Sequence, residues 1–194
     1  MRWTALLLGL AVLTGCMKPS DMRESARYYL DDAGLTNNYR INRSATWTLE
    51  SDASLYIAQG HFLPVGHPYS RPNVVAEEAF AAAAQVFPLV QRAQQPAGLE
   101  EALDQARLQR SDFLLYTRFA SAEGAEPKQQ QDQWSELGVD KAMLQLILME
   151  TSTRHVVDFV TIETKGGFLQ FFKAKPSTLL RPPLEDYSRQ LLGR

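Results

Sequence analysis

The chain has 194 residues, of which 45% are hydrophobic and 22% are charged, and its formal net charge at pH 7 is -2. This length and composition are typical of one folded domain with a substantial core, and the lack of a basic stripe argues against nucleic acid as a partner. The single cysteine excludes an internal disulfide, so core packing has to hold the domain together.

The amino terminus has the layout of a signal peptide for export. One positive residue, Arg2, precedes an uncharged apolar run at residues 4–13, TALLLGLAVL. A helix of that length is about 15 Å long, roughly half the thickness of a bilayer core, so the run does not predict a transmembrane anchor. It is followed by four residues: Leu13, Thr14, Gly15 and Cys16.

These four residues resemble the lipobox of bacterial lipoproteins. The resemblance implies lipid attachment to the sulfur of Cys16 and cleavage after Gly15, with the covalent lipid as the only non-protein group and no cofactor. The alternative is a structural cysteine that happens to follow a short apolar run. Met17 is not the aspartate that typically retains enterobacterial lipoproteins at the inner membrane. The sequence therefore favours the outer membrane, facing the periplasm, and leaves the inner membrane open.

The mature chain begins with mostly polar residues. Residues 17–44 predict a tether with one helical turn, so the chain divides into a signal peptide (1–15), a lipidated tether (16–49) and one domain (50–194). SLYIAQ, from Ser54, predicts a strand.

A helix follows, capped by Ser70 or Asn73 and ended by Pro88. A short strand then starts at Leu89.

The second half predicts a helix and then a run of strands. The helix spans Leu99–Arg110, with acidic residues in its first turn and basic residues in its last. Three strands come next: 112–123, then 141–151, whose two faces both look covered, and its hairpin partner from residue 155. A helix opened by Pro182–Pro183 closes the chain. This order predicts an α/β (α+β) fold, a single domain with a mixed β-sheet and helices packed on it.

Several of these segments together resemble a lipoprotein family known as domain of unknown function 4823 (DUF4823). They are the lipobox, SLYIAQ, LEEALDQARLQRSDFLLYTRF with Asp112, Trp134, the hairpin LILMETSTRHVVDFVTI and the closing helix. The resemblance covers about residues 50–192. More distantly, the chain resembles the α/β domain of the amino-terminal part of TolB, of the curli secretion lipoprotein and of lipoprotein activators of peptidoglycan synthases. The resemblance implies a shared fold and supplies no active site.

The residue types that carry catalysis or bind metal form no recognisable motif. Three histidines occur, His61, His67 and His155, and a metal would need a third ligand such as Asp52, Glu77 or Glu78. Their spacing matches no common zinc motif and favours solvated imidazoles. Ser70 lies near His67, but a helix cap explains it more simply. The acidic pairs at 77–78, 100–101 and 185–186 are expected at helix starts and surfaces. We therefore predict no catalytic residue and no metal site. A cell-envelope hydrolase ranks third among the hypotheses for function, below the two given next.

Two aromatic segments are candidate partner surfaces: Trp134 in the polar loop, and Phe168, Phe171 and Phe172 next to Gly166–Gly167. Core packing is the simpler explanation of each, and the interpretation as a partner surface stays open. The leading hypothesis is a non-catalytic periplasmic lipoprotein that binds another envelope protein. The alternative is an oligomeric accessory component of secretion or transport. The loop Gly124–Asp140 is too polar for the membrane hairpins of a pore, and the sequence leaves the oligomeric state undetermined.

Overall fold

The computed structural model describes residues 38–61, 72–120, 141–165 and 176–193. Six strands occur in these residues: β1 (Asn38–Arg43), β2 (Ser54–Gln59), β3 (Leu89–Arg92), β4 (Phe113–Phe119), β5 (Lys141–Glu150) and β6 (Val156–Lys165). The helices are α1 (Val74–Ala83), α2 (Leu99–Leu108), the short α3 (Pro176–Leu179) and α4 (Arg181–Leu191).

The strands form one sheet in the order β1-β6-β5-β4-β2-β3. β2 is parallel to β3 and β4, whereas the pairs β4–β5, β5–β6 and β1–β6 are antiparallel. This mixed sheet with packed helices confirms the predicted α/β fold. We call the end where β2, β3 and β4 begin the lower end, and the opposite end, where β1 begins, the upper end.

One face of the sheet carries the larger core. Leu144, Leu146 and Leu148 alternate along β5, are fully buried, and belong to the same cluster as apolar side chains of α1 and α4. Each such side chain contributes roughly 1.5–3 kcal/mol by leaving water. Three helices, α1, α3 and α4, contribute to this first face.

The second face is covered by the described residues over only part of its width. Ala102, Leu103 and Ala106 of α2 pack with residues of β2 and β4. Further along the sheet, Ile147 of β5 lies opposite Phe159 of β6, and Phe159 is 37% exposed. The second face therefore carries apolar side chains that still meet solvent.

The structure corrects the predicted tether at its carboxyl end. Residues 38–43 form β1, an edge strand that pairs with β6 with Ile41 opposite Ile162. The strand escapes sequence analysis because its exposed positions, Arg40 and Asn42, are polar and only one of its inward positions is aliphatic. The sheet thus begins no later than Asn38.

Two predicted helix ends are also wrong. α1 ends at Ala83, well before Pro88, and no side-chain hydrogen bond from Asn73 caps it. α2 ends at Leu108, two residues before the predicted end, and Leu108 is 81% exposed. It stops there because Arg110 has a left-handed backbone (φ 55°) and the Ser111 N–H turns back to the Ala106 carbonyl at 3.0 Å.

The remaining elements agree with the sequence. β3 starts at Leu89, and β5 and β6 form a hairpin around a turn at residues 151–153. In the closing helix, Leu184, Tyr187 and Leu191 lie on one buried face, as their spacing predicts.

Candidate functional site

Most of the residues singled out from the sequence lie outside the described residues. They are Cys16 with Leu13, Thr14 and Gly15, the aromatic residues Trp134, Phe168, Phe171 and Phe172, and also His67 and Ser70. Lipidation and the aromatic partner surface therefore stay predictions.

The two described histidines lie at opposite ends of the sheet. His61 is exposed just after the upper end of β2, and His155 is exposed just before the lower end of β6. Within residues 38–61, 72–120, 141–165 and 176–193, no three His, Cys, Asp or Glu side chains come together in a way that could hold a metal ion. The histidines thus do not mark a site in this part of the chain.

One predicted surface carboxylate is buried instead. Glu78 of α1 is 7% exposed, and its Oε2 accepts hydrogen bonds from the Arg181 Nε and Nη2 atoms, each at 2.8 Å. The correction has a simple reason, because Glu78 lies on the face of α1 that packs against α4 and has its countercharge there. The pair joins these two helices.

The other acidic pairs do lie near solvent. The exposed Glu100 accepts a hydrogen bond from Arg154 at 3.1 Å, and Glu185 accepts one from Gln85 at 2.9 Å. Contacts of this kind contribute little to stability because water screens them.

Among the described residues, the most completely buried carboxyl group is that of Asp158 of β6, whose side chain is 0% exposed. It accepts hydrogen bonds from Arg43 Nε at 2.7 Å, from the Ser44 hydroxyl at 3.2 Å and from the Ala45 N–H at 3.2 Å. Arg43 also donates to the Trp47 carbonyl at 2.7 Å. These contacts fasten the lower end of β1 to β6, a role that the sequence analysis missed.

Tyr187 of α4 completes this buried cluster. Its ring lies 5.4 Å from the guanidinium carbon of Arg43, within cation–π range. Burial, followed by the nearby Asp158 carboxylate, raises the pKa of Tyr187. The phenol therefore stays neutral, and Asp158, already holding three donors, is not placed to act as a base.

At the upper end, a side chain from β2 caps α1. The carboxamide oxygen of Gln59 accepts hydrogen bonds from the backbone N–H groups of Val75 at 2.7 Å and Ala76 at 3.2 Å. Asn73, the predicted cap, instead has a left-handed backbone (φ 65°) and donates to the Ala93 carbonyl at 2.7 Å. The capping residue thus comes from a strand and not from the preceding loop.

Large apolar side chains are exposed towards the lower end of the sheet. Leu108 is 81% exposed, Trp47 59%, Leu89 56% and Val156 46%. Leu108 ends α2, Trp47 follows β1, and Leu89 and Val156 begin β3 and β6. All of these positions lie at that end. We call these four residues the lower rim. They are spread across the width of the sheet, from the β1 edge to the β3 edge, and we treat this end as a candidate interface.

The model of the family described as "Domain of unknown function (DUF4823)" matches residues 47–191. No curated protein matches the chain. No helix among the described residues is long and apolar enough to cross a membrane.

Two solved structures have a similar fold, and both are dodecamers of PelC from Paraburkholderia phytofirmans. A PelC variant is 14% identical with a TM-score of 0.55, and the match covers 81% of this chain and 100% of that one. PelC in another crystal form is 17% identical with a TM-score of 0.53, covering 76% and 96%. At these identities the likeness concerns the fold alone.

Proposed function

We propose a function for this chain, which belongs to the family described as "Domain of unknown function (DUF4823)". It is a lipid-anchored envelope protein that assembles with copies of itself. It carries out no catalysis. The observation that carries this proposal is the likeness to PelC along 100% of the PelC chain, because PelC was solved as a dodecamer.

Assembly of identical chains needs complementary surfaces on each copy. The lower rim offers exposed apolar groups, and the partly uncovered second face offers Phe159 beside Ile147. These two surfaces lie on different parts of one protomer, as head-to-tail contacts between subunits require. The oligomeric accessory role, the alternative from sequence analysis, therefore ranks above binding of a different envelope protein.

The chain's path supports attachment at the upper end. Asn38 begins β1 there, and residues 16–37 separate it from the predicted lipid on Cys16. These 22 residues (37 − 16 + 1) span at most about 75 Å when fully extended. The lower rim then lies at the end opposite the attachment point and is available to neighbouring subunits. With Met17 after the lipidated cysteine, we propose the periplasmic side of the outer membrane.

The absence of catalysis is supported by how the interior uses its ionisable groups. Among the described residues, the carboxylates of Asp158 and Glu78 are each held by an arginine. A nucleophile with an adjacent base is the minimum for covalent hydrolysis, and these two carboxylates are engaged in structural ion pairs instead.

The oligomer is tested on the full chain, extracted from its own bacterium and measured by native mass spectrometry. We expect one dominant multiple of the protomer mass, and we expect Leu108→Gln to weaken it because that side chain is 81% exposed. Glu163→Gln, exposed towards the upper end of β6, is the control and keeps the oligomer. A monomer at every concentration would refute assembly.

Anchoring is tested separately, by labelling cells with a tagged palmitate analogue. We expect label on the wild-type chain and none on Cys16→Ser, together with release of that variant from the membrane fraction. Unlabelled wild-type protein would overturn the anchoring proposal and leave the oligomer test intact.

A further inference from the structure

A polar groove lies at the β3 edge of the sheet, beside α2. Its volume is about 560 Å³, and Tyr56 and Ala97 belong to its lining. Five glutamines line it: Gln91, Gln94, Gln95, Gln105 and Gln109. Gln91 lies in β3, Gln94 and Gln95 in the loop that follows it, Gln105 in α2 and Gln109 directly after α2. The fold thus gathers these carboxamides from separate segments.

The loop that forms one wall is held at both ends. The Ala93 N–H donates to the Ile57 carbonyl at 2.8 Å, and the Ala97 N–H donates to the Gln59 carbonyl at 2.9 Å. The Tyr116 hydroxyl adds a hydrogen bond to the Ala97 carbonyl at 3.0 Å. The backbone between these anchors therefore presents Gln94 and Gln95 in a fixed place, which lowers the entropy that a ligand would have to overcome.

Few of these carboxamides are hydrogen-bonded to the protein itself, and most are exposed to solvent. Gln105 accepts from the Tyr56 hydroxyl at 2.8 Å and donates to Glu101 at 3.4 Å. The side chains of Gln91, Gln94, Gln95 and Gln109 form no hydrogen bond with another residue of the described parts. Each carboxamide can donate two hydrogen bonds and accept two.

The charges around the groove balance. Arg92 and Glu101 are its only ionised lining residues, one of each sign. Burial, followed by the charge of Glu101, raises the pKa of Tyr56, so its hydroxyl stays neutral. Such a lining attracts neither a phosphate nor a metal ion, and its polarity disfavours an apolar ligand.

We infer that this groove binds a neutral polyhydroxylated ligand, a glycan segment. Neighbouring sugar hydroxyls both donate and accept, and a row of carboxamides pairs with them without requiring charge. The groove has room for one or two sugar rings. Because the ring of Tyr56 is only 6% exposed, the lining has no open aromatic surface for stacking. Affinity should therefore be modest, with a Kd on the order of 1 mM for an oligosaccharide.

The test is isothermal titration of soluble hexasaccharides (maltohexaose, cellohexaose and chitohexaose) into the full chain as the bacterium makes it. The protein is held in lipid nanodiscs, because maltoside or glucoside detergents would themselves offer sugars. We expect saturable binding of at least one hexasaccharide below about 20 mM.

Variants separate the groove from the rest of the surface. The double variant Gln94→Ala with Gln95→Ala should bind at least tenfold more weakly, because it removes two carboxamides that can hydrogen-bond to the sugar hydroxyls. Gln190→Ala, on α4 at the other face, should bind as the wild type does. Tyr56→Phe should also weaken binding by removing the hydroxyl that positions Gln105.

Three outcomes would overturn the inference. One is no saturation with any hexasaccharide, and another is equal loss in the double variant and in Gln190→Ala. The third is saturable binding of a neutral extended peptide that the hexasaccharides do not compete with, which would assign the groove to peptides. None of these outcomes bears on the oligomer, which is measured by mass.

Discussion

Replacing Asp158 by asparagine keeps the shape of the side chain but removes its charge and one of its acceptors. In the wild type the carboxylate is fully buried and holds Arg43, whose side chain is 13% exposed, through a 2.7 Å hydrogen bond. Breaking a fully buried ion pair costs about 3–5 kcal/mol. Arg43 retains some water and its hydrogen bond to the Trp47 carbonyl, so we expect a loss of about 2–3 kcal/mol.

The loss is measured by urea unfolding of the full chain at pH 7 and at one fixed protein concentration, because assembly shifts apparent stability. It corresponds to a fall in Tm of about 5–10 °C for a domain of this size. The matched control is Glu100→Gln, which removes an exposed ion pair with Arg154 and should cost less than about 0.5 kcal/mol.

A double-mutant cycle with Arg43→Met isolates the pair itself. We expect a coupling energy of about 1–2 kcal/mol between positions 43 and 158. If Asp158→Asn cost no more than Glu100→Gln, or if the coupling were near zero, the pair would not be what fastens β1 to β6.

Three further perturbations test other parts of the structure. Gln59→Leu removes the cap of α1 and should lower the free energy of unfolding by about 1–3 kcal/mol in urea, with an unchanged value contradicting the cap. The pKa of Tyr187 is raised in the fold, so its neutral phenol stabilises the fold up to about pH 10 and this contribution is lost above it. The free energy of unfolding should therefore fall less steeply from pH 9 to 11 in Tyr187→Phe than in the wild type. Identical slopes would contradict this expectation. Gly60→Ala places a Cβ 2.8 Å from the Tyr116 hydroxyl and should cost about 1–3 kcal/mol, most of which a Tyr116→Phe background should restore in the same urea assay.

The sequence predicts the β5–β6 hairpin and α4 well because their signals are local. Leu144, Leu146 and Leu148 alternate over a short stretch, and a tight turn joins the strand to its neighbour. In α4, Leu184 and Tyr187 repeat at helical spacing after a proline-rich start. Local periodicity of this kind determines both the element and the face that it buries.

The buried polar contacts escape prediction because their partners are distant in the chain. Asp158 and Arg43 are separated by 115 positions, and nothing near either residue indicates the other. One signal was available: Asp158, Val160 and Ile162 are spaced two residues apart. Alternation along β6 therefore places the Asp158 carboxylate on the same buried face as the two aliphatic side chains. Such a residue requires a partner, and its position alone could have pointed to one.

The candidate surfaces show the same limit. The lower rim consists of Trp47, Leu89, Leu108 and Val156. These residues lie at the same end of the sheet only because of the order and direction of the strands. The five glutamines of the groove likewise come from separate segments. A single sequence indicates each residue's chemistry, whereas the sheet topology determines which residues meet.

The position of β1 has a mechanical consequence for a protein held by its amino terminus. A force on the proposed lipid anchor, directed along the strand axis, would load the β1–β6 hydrogen bonds in shear, all at once, rather than opening them one by one. At the other end of β1, the ion pair between Arg43 and Asp158 resists sliding of β1 along β6. The β1–β6 pairing is thus oriented to resist such a force, and contacts with neighbouring copies can transmit force to the domain without separating β1 from the sheet.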